Sequence, residues 1–153
     1  MKLMNILLIE DNEGDVLLTT EALEETTLIS GLKVIRDGEA AIKFFNGIVD
    51  PADLPDLVLL DINLPKKSGY EVLAFIKGHE NYMHIPVIML TTSSSEKDIA
   101  RCYKGLVNCY LIKPLEVTDF INSIKKMGEF WAGIASIPNS VKVVPQIDNF
   151  FKQ

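Results

Sequence analysis

A chain of 153 residues has room for one domain with a sizeable core and a short extension. Hydrophobic residues make up 48% and charged residues 24%, the balance of a soluble globular protein, and no apolar run approaches the roughly 20 residues of a membrane span. The net charge of -6 disfavours nucleic acid or anionic lipid as a broad electrostatic partner.

Met1 to Asn5 leads directly into a strand over 4–9, without the pattern of a cleavable signal. A helix is expected from Glu13 to about Thr26, where Val16, Leu17, Ala22 and Leu23 recur at helical spacing. Gly31 breaks the chain before a short strand at Leu32–Ile35. Asp37-Gly38 signals a turn, and a helix follows from Glu39 to Asn46. A polar loop bearing Pro51 and Pro55 precedes the strand Leu57-Val58-Leu59-Leu60. Ser68 is a helix N-cap with Glu71 three residues later, the spacing of a capping box, and that helix ends at Gly78. Pro86 opens the strand Val87-Ile88-Met89-Leu90. A cap-rich run from Thr91 to Ser95 leads to a helix from Glu96 to about Leu106. Cys109–Ile112 is the fifth strand, and Glu116 to about Trp131 the last long helix. Near-continuous Val/Ile/Leu strands alternating with helices imply an α/β protein whose parallel sheet is covered on both faces.

Chemistry concentrates at the strand ends. Glu10-Asp11 closes the first strand, Asp61 the third, Thr91 the fourth and Lys113 the fifth. In an open parallel sheet, ligands bind beyond the carboxyl ends of the strands, where strand order reverses. If the first and third strands flank that point, three carboxylates converge there and raise one another's pKa. A divalent cation resolves the conflict, and an oxygen-only ligand set suits Mg²⁺ rather than zinc. A hydroxyl at Thr91 and an ammonium at Lys113 suit an anion attached to Asp61, though Lys113 also serves simply to neutralise the acids. Cys102 and Cys109 read as free thiols in a reducing compartment. His79 and His84 belong to no recognisable ligand set.

These residues, in this order, resemble the receiver domain of two-component response regulators over about residues 4 to 130. The resemblance is carried by Ile9-Glu10-Asp11-Asn12, by Leu60-Asp61-Ile62-Asn63-Leu64-Pro65 with Gly69, by Met89-Leu90-Thr91-Thr92 and by Tyr110-Leu111-Ile112-Lys113-Pro114. It implies a flavodoxin-like (βα)5 doubly wound sheet of five parallel strands in the order 2-1-3-4-5, and a cytoplasmic signalling protein rather than an enzyme. It implies that Asp61 accepts a phosphoryl group from a partner histidine kinase. Glu10, Asp11, Asp61 and the Asn63 backbone carbonyl would hold Mg²⁺. Lys113, Thr91 and Thr92 would contact the phosphoryl group. Thr91 and Tyr110 would act as the switch, and Pro114 as a turn whose Lys113–Pro114 isomer is open.

Two positions depart from the common pattern: Glu10 stands where many members have Asp, and Thr92 where a small Ala is common. Neither removes a required chemical group. Asn63 and Ser93 flank the site, where they bear on attack of water at the acyl phosphate. The domain expectation is a receiver over 1–131 with a C-terminal extension over 132–153 and no separate output domain. The extension carries Ile134, Ile137, Val141, Val143, Val144, Ile147, Phe150 and Phe151. That apolar surface either packs on its own domain or makes a dimer or partner surface, the latter shared with the face of the fourth and fifth helices. The loop at 46–56 and the Glu129-Phe130-Trp131 helix end resemble single-domain regulators that partner phytochrome-type histidine kinases; the downstream target is open. Two alternatives stand beside this reading. An aspartate-nucleophile phosphatase of the haloacid-dehalogenase kind wants an acid at position 63, where this chain has Asn63. The other is a receiver-fold adaptor that never takes phosphate.

Overall fold

The computed structural model describes residues 3–138. Strands and helices alternate as β1 (Met4–Ile9), α1 (Glu13–Glu24), β2 (Ile29–Ile35), α2 (Gly38–Asn46), β3 (Leu57–Leu60), α3 (Gly69–Gly78), β4 (Val87–Thr91), α4 (Glu96–Lys104), β5 (Cys109–Ile112) and α5 (Val117–Glu129). A 3-10 turn at Pro51–Asp53 precedes β3, and a π turn at Phe130–Ile134 extends α5. All five strands pair in parallel, in the order β2-β1-β3-β4-β5 implied by the resemblance.

The absence of polar alternation in the strands now has its explanation, because each strand face meets a different helical layer. Leu7, Ile9, Val58, Leu60, Val87 and Met89 pack with Phe45, Ile76 and Cys102 from α2, α3 and α4. Ile6, Leu8, Leu57, Leu59, Ile88 and Leu90 pack with Leu23, Phe120 and Ile124 from α1 and α5. Burying a Leu, Ile or Phe side chain of this kind contributes about 1.5–3 kcal/mol. Helix starts follow local chemistry. Asn12, Asp37, Ser68 and Ser95 each cap a helix with a side-chain oxygen, and the Ser68 N–H donating to the Glu71 carboxylate completes a capping box.

Several boundaries differ by a residue or two from the sequence expectation, and three of the differences are instructive. β2 begins at Ile29, and Gly31 lies inside it rather than before it. The β1 ladder recruits these residues, with an irregularity where Met4 pairs with Ile29 and Asn5 with Gly31, so Ser30 is the extra residue. The Asn5 amide oxygen sits where a Gly31 side chain would begin, and Ser30 Oγ donates to it at 3.0 Å. α4 ends at Lys104 rather than Leu106, because Leu106 takes a left-handed backbone with φ 71°. α5 gives way to the π turn after Glu129, and Trp131, Ala132 and Ile137 pack partly buried against the α1–α5 layer. Ile134 is exposed. The expectations for Val141, Val143, Val144, Ile147, Phe150 and Phe151 lie outside the described residues.

Two glycines fix the loop that follows β3. A Cβ at Gly69 would collide with the Asp61 carbonyl oxygen, and one at Gly38 with the Lys67 carbonyl oxygen. Gly69 N–H donates to the Ile62 carbonyl at 2.7 Å and Gly38 N–H to the Pro65 carbonyl at 3.2 Å. The loop is therefore held from α3 on one side and α2 on the other. Gly38→Ala is expected to lower stability by about 1–3 kcal/mol through this overpacking. The urea midpoint measures it, and an unchanged midpoint would contradict the clamp.

Candidate metal and phosphate site

Register brings the strand-end residues together. Ile9 pairs with Leu60, so Glu10 and Asp61 leave adjacent strands side by side. Glu10 N–H donates to the Ile35 carbonyl at 3.0 Å and Asp61 N–H to the Ile9 carbonyl at 3.1 Å, so both backbones are still held at the sheet edge. Thr91 pairs with Ile112, and the Lys113 N–H donates to the Thr91 carbonyl at 2.7 Å. β4 lies next to β3, so Lys113 reaches back over the sheet edge toward the acids.

One ammonium ties the site together. Lys113 Nζ donates to Glu10 Oε2 at 2.7 Å, to Asp15 Oδ2 at 2.9 Å and to Asp61 Oδ2 at 3.2 Å. Glu10, Asp61 and Lys113 are buried, with relative exposures of 2%, 8% and 7%. Glu10 Oε1 accepts the Asn12 N–H at 3.1 Å, and Asp61 Oδ1 accepts the Asn63 N–H at 3.4 Å. Asp11 is exposed at the rim.

Charge burial sets the protonation behaviour. Burial pushes the Glu10 carboxyl up to about 7; the hydrogen bond from Lys113 opposes the shift and the nearby Asp61 charge adds to it. For Lys113, burial works against the charge, but the hydrogen bonds to Glu10 and Asp15 and the Asp61 charge outweigh it and raise the pKa. One lysine thus serves several carboxylates, and Glu10 remains short of compensation.

The residues fit a divalent cation. Glu10, Asp11 and Asp61 each offer a carboxylate oxygen, and these three oxygens lie within 4.8 Å of one another. The donor set is oxygen only, which suits a hard cation, and the raised Glu10 pKa marks a place where further positive charge is stabilising. Beside it, the Thr91 hydroxyl is fully buried and has no hydrogen-bond partner, an unusual state for a buried polar atom.

Of the residues singled out in the sequence, Glu10, Asp11, Asp61 and Lys113 converge. Thr91 lies on the adjoining strand end, with Thr92 exposed beyond it. Asn63 enters through its N–H to Asp61. Tyr110 stands apart, half-buried on β5 with its hydroxyl on the Ser93 carbonyl at 2.8 Å. The Lys113–Pro114 bond is trans. His79 stacks on Tyr82 with ring centroids 4.0 Å apart. Asp15 was not anticipated. The available signal was an acid in the first turn of α1, soon after the Glu10-Asp11 pair in the sequence.

Known proteins can now be set beside this geometry. The model of the response regulator receiver domain matches residues 6–125. The chain belongs to the response regulator receiver family. It is 41% identical over 135 residues to the response regulator Rcp1 of Synechocystis sp., covering 87% of this chain and 92% of Rcp1. The structure of the phosphorylated cyanobacterial phytochrome response regulator RcpA aligns with a TM-score of 0.84 at 40% identity, over 90% of this chain and 99% of that one. The Mn²⁺-bound form of Rcp1 aligns with a TM-score of 0.83 at 40% identity, over 89% of this chain and 99% of that one. The protein is thus a response regulator of two-component signalling, and receivers of this family take a phosphoryl group from a histidine kinase onto an aspartate and bind a divalent metal.

The Glu10 shift has a measurable consequence. The folded protein keeps a proton at Glu10 that the unfolded chain releases above about pH 4.5. Stability of the metal-free protein therefore falls as pH rises from about 4.5 to about 7. Urea unfolding in chelator at pH 5 and pH 8 is expected to show that loss. Glu10→Gln should flatten it, and Mg²⁺ at pH 8 should restore stability to the wild type. Parallel pH profiles for wild type and Glu10→Gln would contradict the assignment.

Proposed function

We propose that Asp61 is the phosphoacceptor of a phosphorelay. Glu10, Asp11, Asp61 and the Asn63 backbone carbonyl hold Mg²⁺, and Lys113, Thr91 and Thr92 contact the phosphoryl oxygens. The observation that carries this reading is the meeting of three carboxylates with the single ammonium of Lys113 at the carboxyl ends of β1, β3 and β5.

In the transfer, an Asp61 carboxylate oxygen attacks the phosphorus of a phosphohistidine, the N–P bond breaks, and the histidine leaves with the electron pair. Negative charge spreads over the phosphoryl oxygens in the transition state, so the work of the protein is positioning and charge stabilisation. Mg²⁺, when bound, supplies positive charge against those oxygens. Lys113 supplies the second cation from a site already fixed by Glu10 and Asp15. Hydrolysis is a separate reaction: water attacks phosphorus, the bond to the Asp61 oxygen breaks, inorganic phosphate leaves, and the Asp61 carboxylate is regenerated. Asn63 and Ser93 flank that approach.

The Thr91 hydroxyl, buried without a partner, turns to the new anion, and Tyr110 follows. The resulting population shift alters the face made by α4, β5 and α5. The receiver spans 1–131 and 132–153 is an extension. Output is protein contact, with a homodimer through the α4–α5 face or the extension as one form of it. The likeness to RcpA, a cyanobacterial phytochrome response regulator, supports a phytochrome-type histidine kinase as the phosphoryl donor. Among the described residues no helix is long and apolar enough to cross a membrane.

Incubation with acetyl phosphate and Mg²⁺, followed by intact mass, is expected to show one added phosphoryl group, absent from Asp61→Asn. Lys113→Ala should slow its formation by about 100-fold or more. No adduct on the wild type under any condition would overturn the proposal, and undiminished modification of Asp61→Asn would move the acceptor elsewhere.

A further inference from the structure

Asp15, in the first turn of α1, is one of three acids on the Lys113 ammonium, and the one that stands outside the metal cluster. An ammonium has three N–H donors. Here they meet Glu10 Oε2 at 2.7 Å, Asp15 Oδ2 at 2.9 Å and Asp61 Oδ2 at 3.2 Å. Glu10 and Asp61 also belong, with Asp11, to the group whose carboxylate oxygens lie within 4.8 Å of one another. Both ends of the Asp15–Lys113 contact are anchored. The Asp15 N–H donates to the Asn12 side chain at 3.0 Å, and its neighbour Val16 is buried in the α1–α5 layer. The Lys113 N–H donates to the Thr91 carbonyl at 2.7 Å.

We propose that Asp15 is a positioning residue for phosphoryl transfer, holding the Lys113 ammonium at the site once Glu10 and Asp61 are engaged by the metal and the phosphoryl group. The inference rests on the phosphoacceptor reading given above. Glu10 and Asp61 cannot serve a divalent cation and the ammonium equally, and the two cations repel each other. Of the three acids that Lys113 touches, Asp15 alone is then left to it. The hydrogen bond between them joins two ions, the stronger class.

Without Asp15, the lysine is a point charge on a flexible stem, driven away from the cation toward solvent. With it, the ammonium keeps two N–H donors for phosphoryl oxygens and needs no reordering as charge develops on them. Asp15→Asn removes the charge but keeps the helix cap, because the capping bond uses the Asp15 N–H. An effect that runs through Lys113 disappears when the ammonium is absent. An effect on helix stability or on the overall charge of the site persists.

The test is a double-mutant cycle on the full chain. Initial phosphoryl uptake from acetyl phosphate at saturating Mg²⁺ is followed by intact mass in wild type, Asp15→Asn, Lys113→Met and the double variant. Asp15→Asn is expected to slow uptake about tenfold when Lys113 is present and to leave it unchanged in the Lys113→Met background. The unphosphorylated protein gives a second readout, the ¹⁵N signal of the Lys113 ammonium, assigned by its loss in Lys113→Met. With Mg²⁺ added, that ammonium is expected to exchange slowly with water in wild type and rapidly in Asp15→Asn. Equal slowing of uptake in both backgrounds overturns the proposal, as does uptake in Asp15→Asn that matches or exceeds wild type. A Lys113 ammonium that exchanges alike in wild type and Asp15→Asn with Mg²⁺ also overturns it. Wild-type protein that takes no phosphoryl group overturns the phosphoacceptor reading and the positioning role with it.

Discussion

The ammonium of Lys113, held among the carboxylates of Glu10, Asp15 and Asp61, is the interaction on which the rest of this structure turns. Two of those acids are buried at the ends of neighbouring strands, where mutual repulsion and loss of water both disfavour charge. Without a counter-charge at that spot, the first and third strands could not end side by side in two acids. The strand order supplies it. β5 lies at the sheet edge, two strands from β3, and only a long side chain reaches back from its end. The lysine does not satisfy the site fully, as the raised pKa of Glu10 shows. That shortfall is a local cost to the fold and, for the same reason, an affinity for a divalent cation.

Around this centre the backbone of the β3–α3 loop is held tightly. Gly38 and Gly69 let α2 and α3 press against the β3–α3 loop so closely that no side chain fits, which fixes Asp61 and the Asn63 amide. On the other side, Thr91 carries a buried hydroxyl without a partner and Tyr110 is tied to the loop by a single hydrogen bond. On the proposed reading, Asp61 is a fixed acceptor beside the Thr91 hydroxyl that would read it, and a small chemical change would select between two packings.

Much of this was legible in the sequence because the strands are short, wholly apolar runs that end abruptly in Glu10, Asp61 and Lys113. Such endings carry both the fold class and the chemistry, and the Ser68–Glu71 spacing placed a helix start as observed. What stayed hidden depends on contacts between distant segments. Gly31 reads as a break, yet the β1 ladder draws it into a strand. Leu106 reads as helical, yet it adopts a left-handed backbone after the Gly105 cap. The first turn of α1 puts Asp15 near the Glu10-Asp11 strand end but does not say that a lysine 98 residues away arrives there. The bond from Tyr70 to Asp98 spans 28 residues and has no local signature.

The most direct test is a crystal structure of the protein grown with Mg²⁺ and beryllofluoride, which mimics an acyl phosphate. The account predicts a beryllofluoride group on the Asp61 carboxylate, Mg²⁺ among Glu10, Asp11, Asp61 and the Asn63 carbonyl, and Lys113 and Thr91 turned onto the fluorides. A site that remains bare at saturating reagent, or an adduct on a different carboxylate, would contradict it.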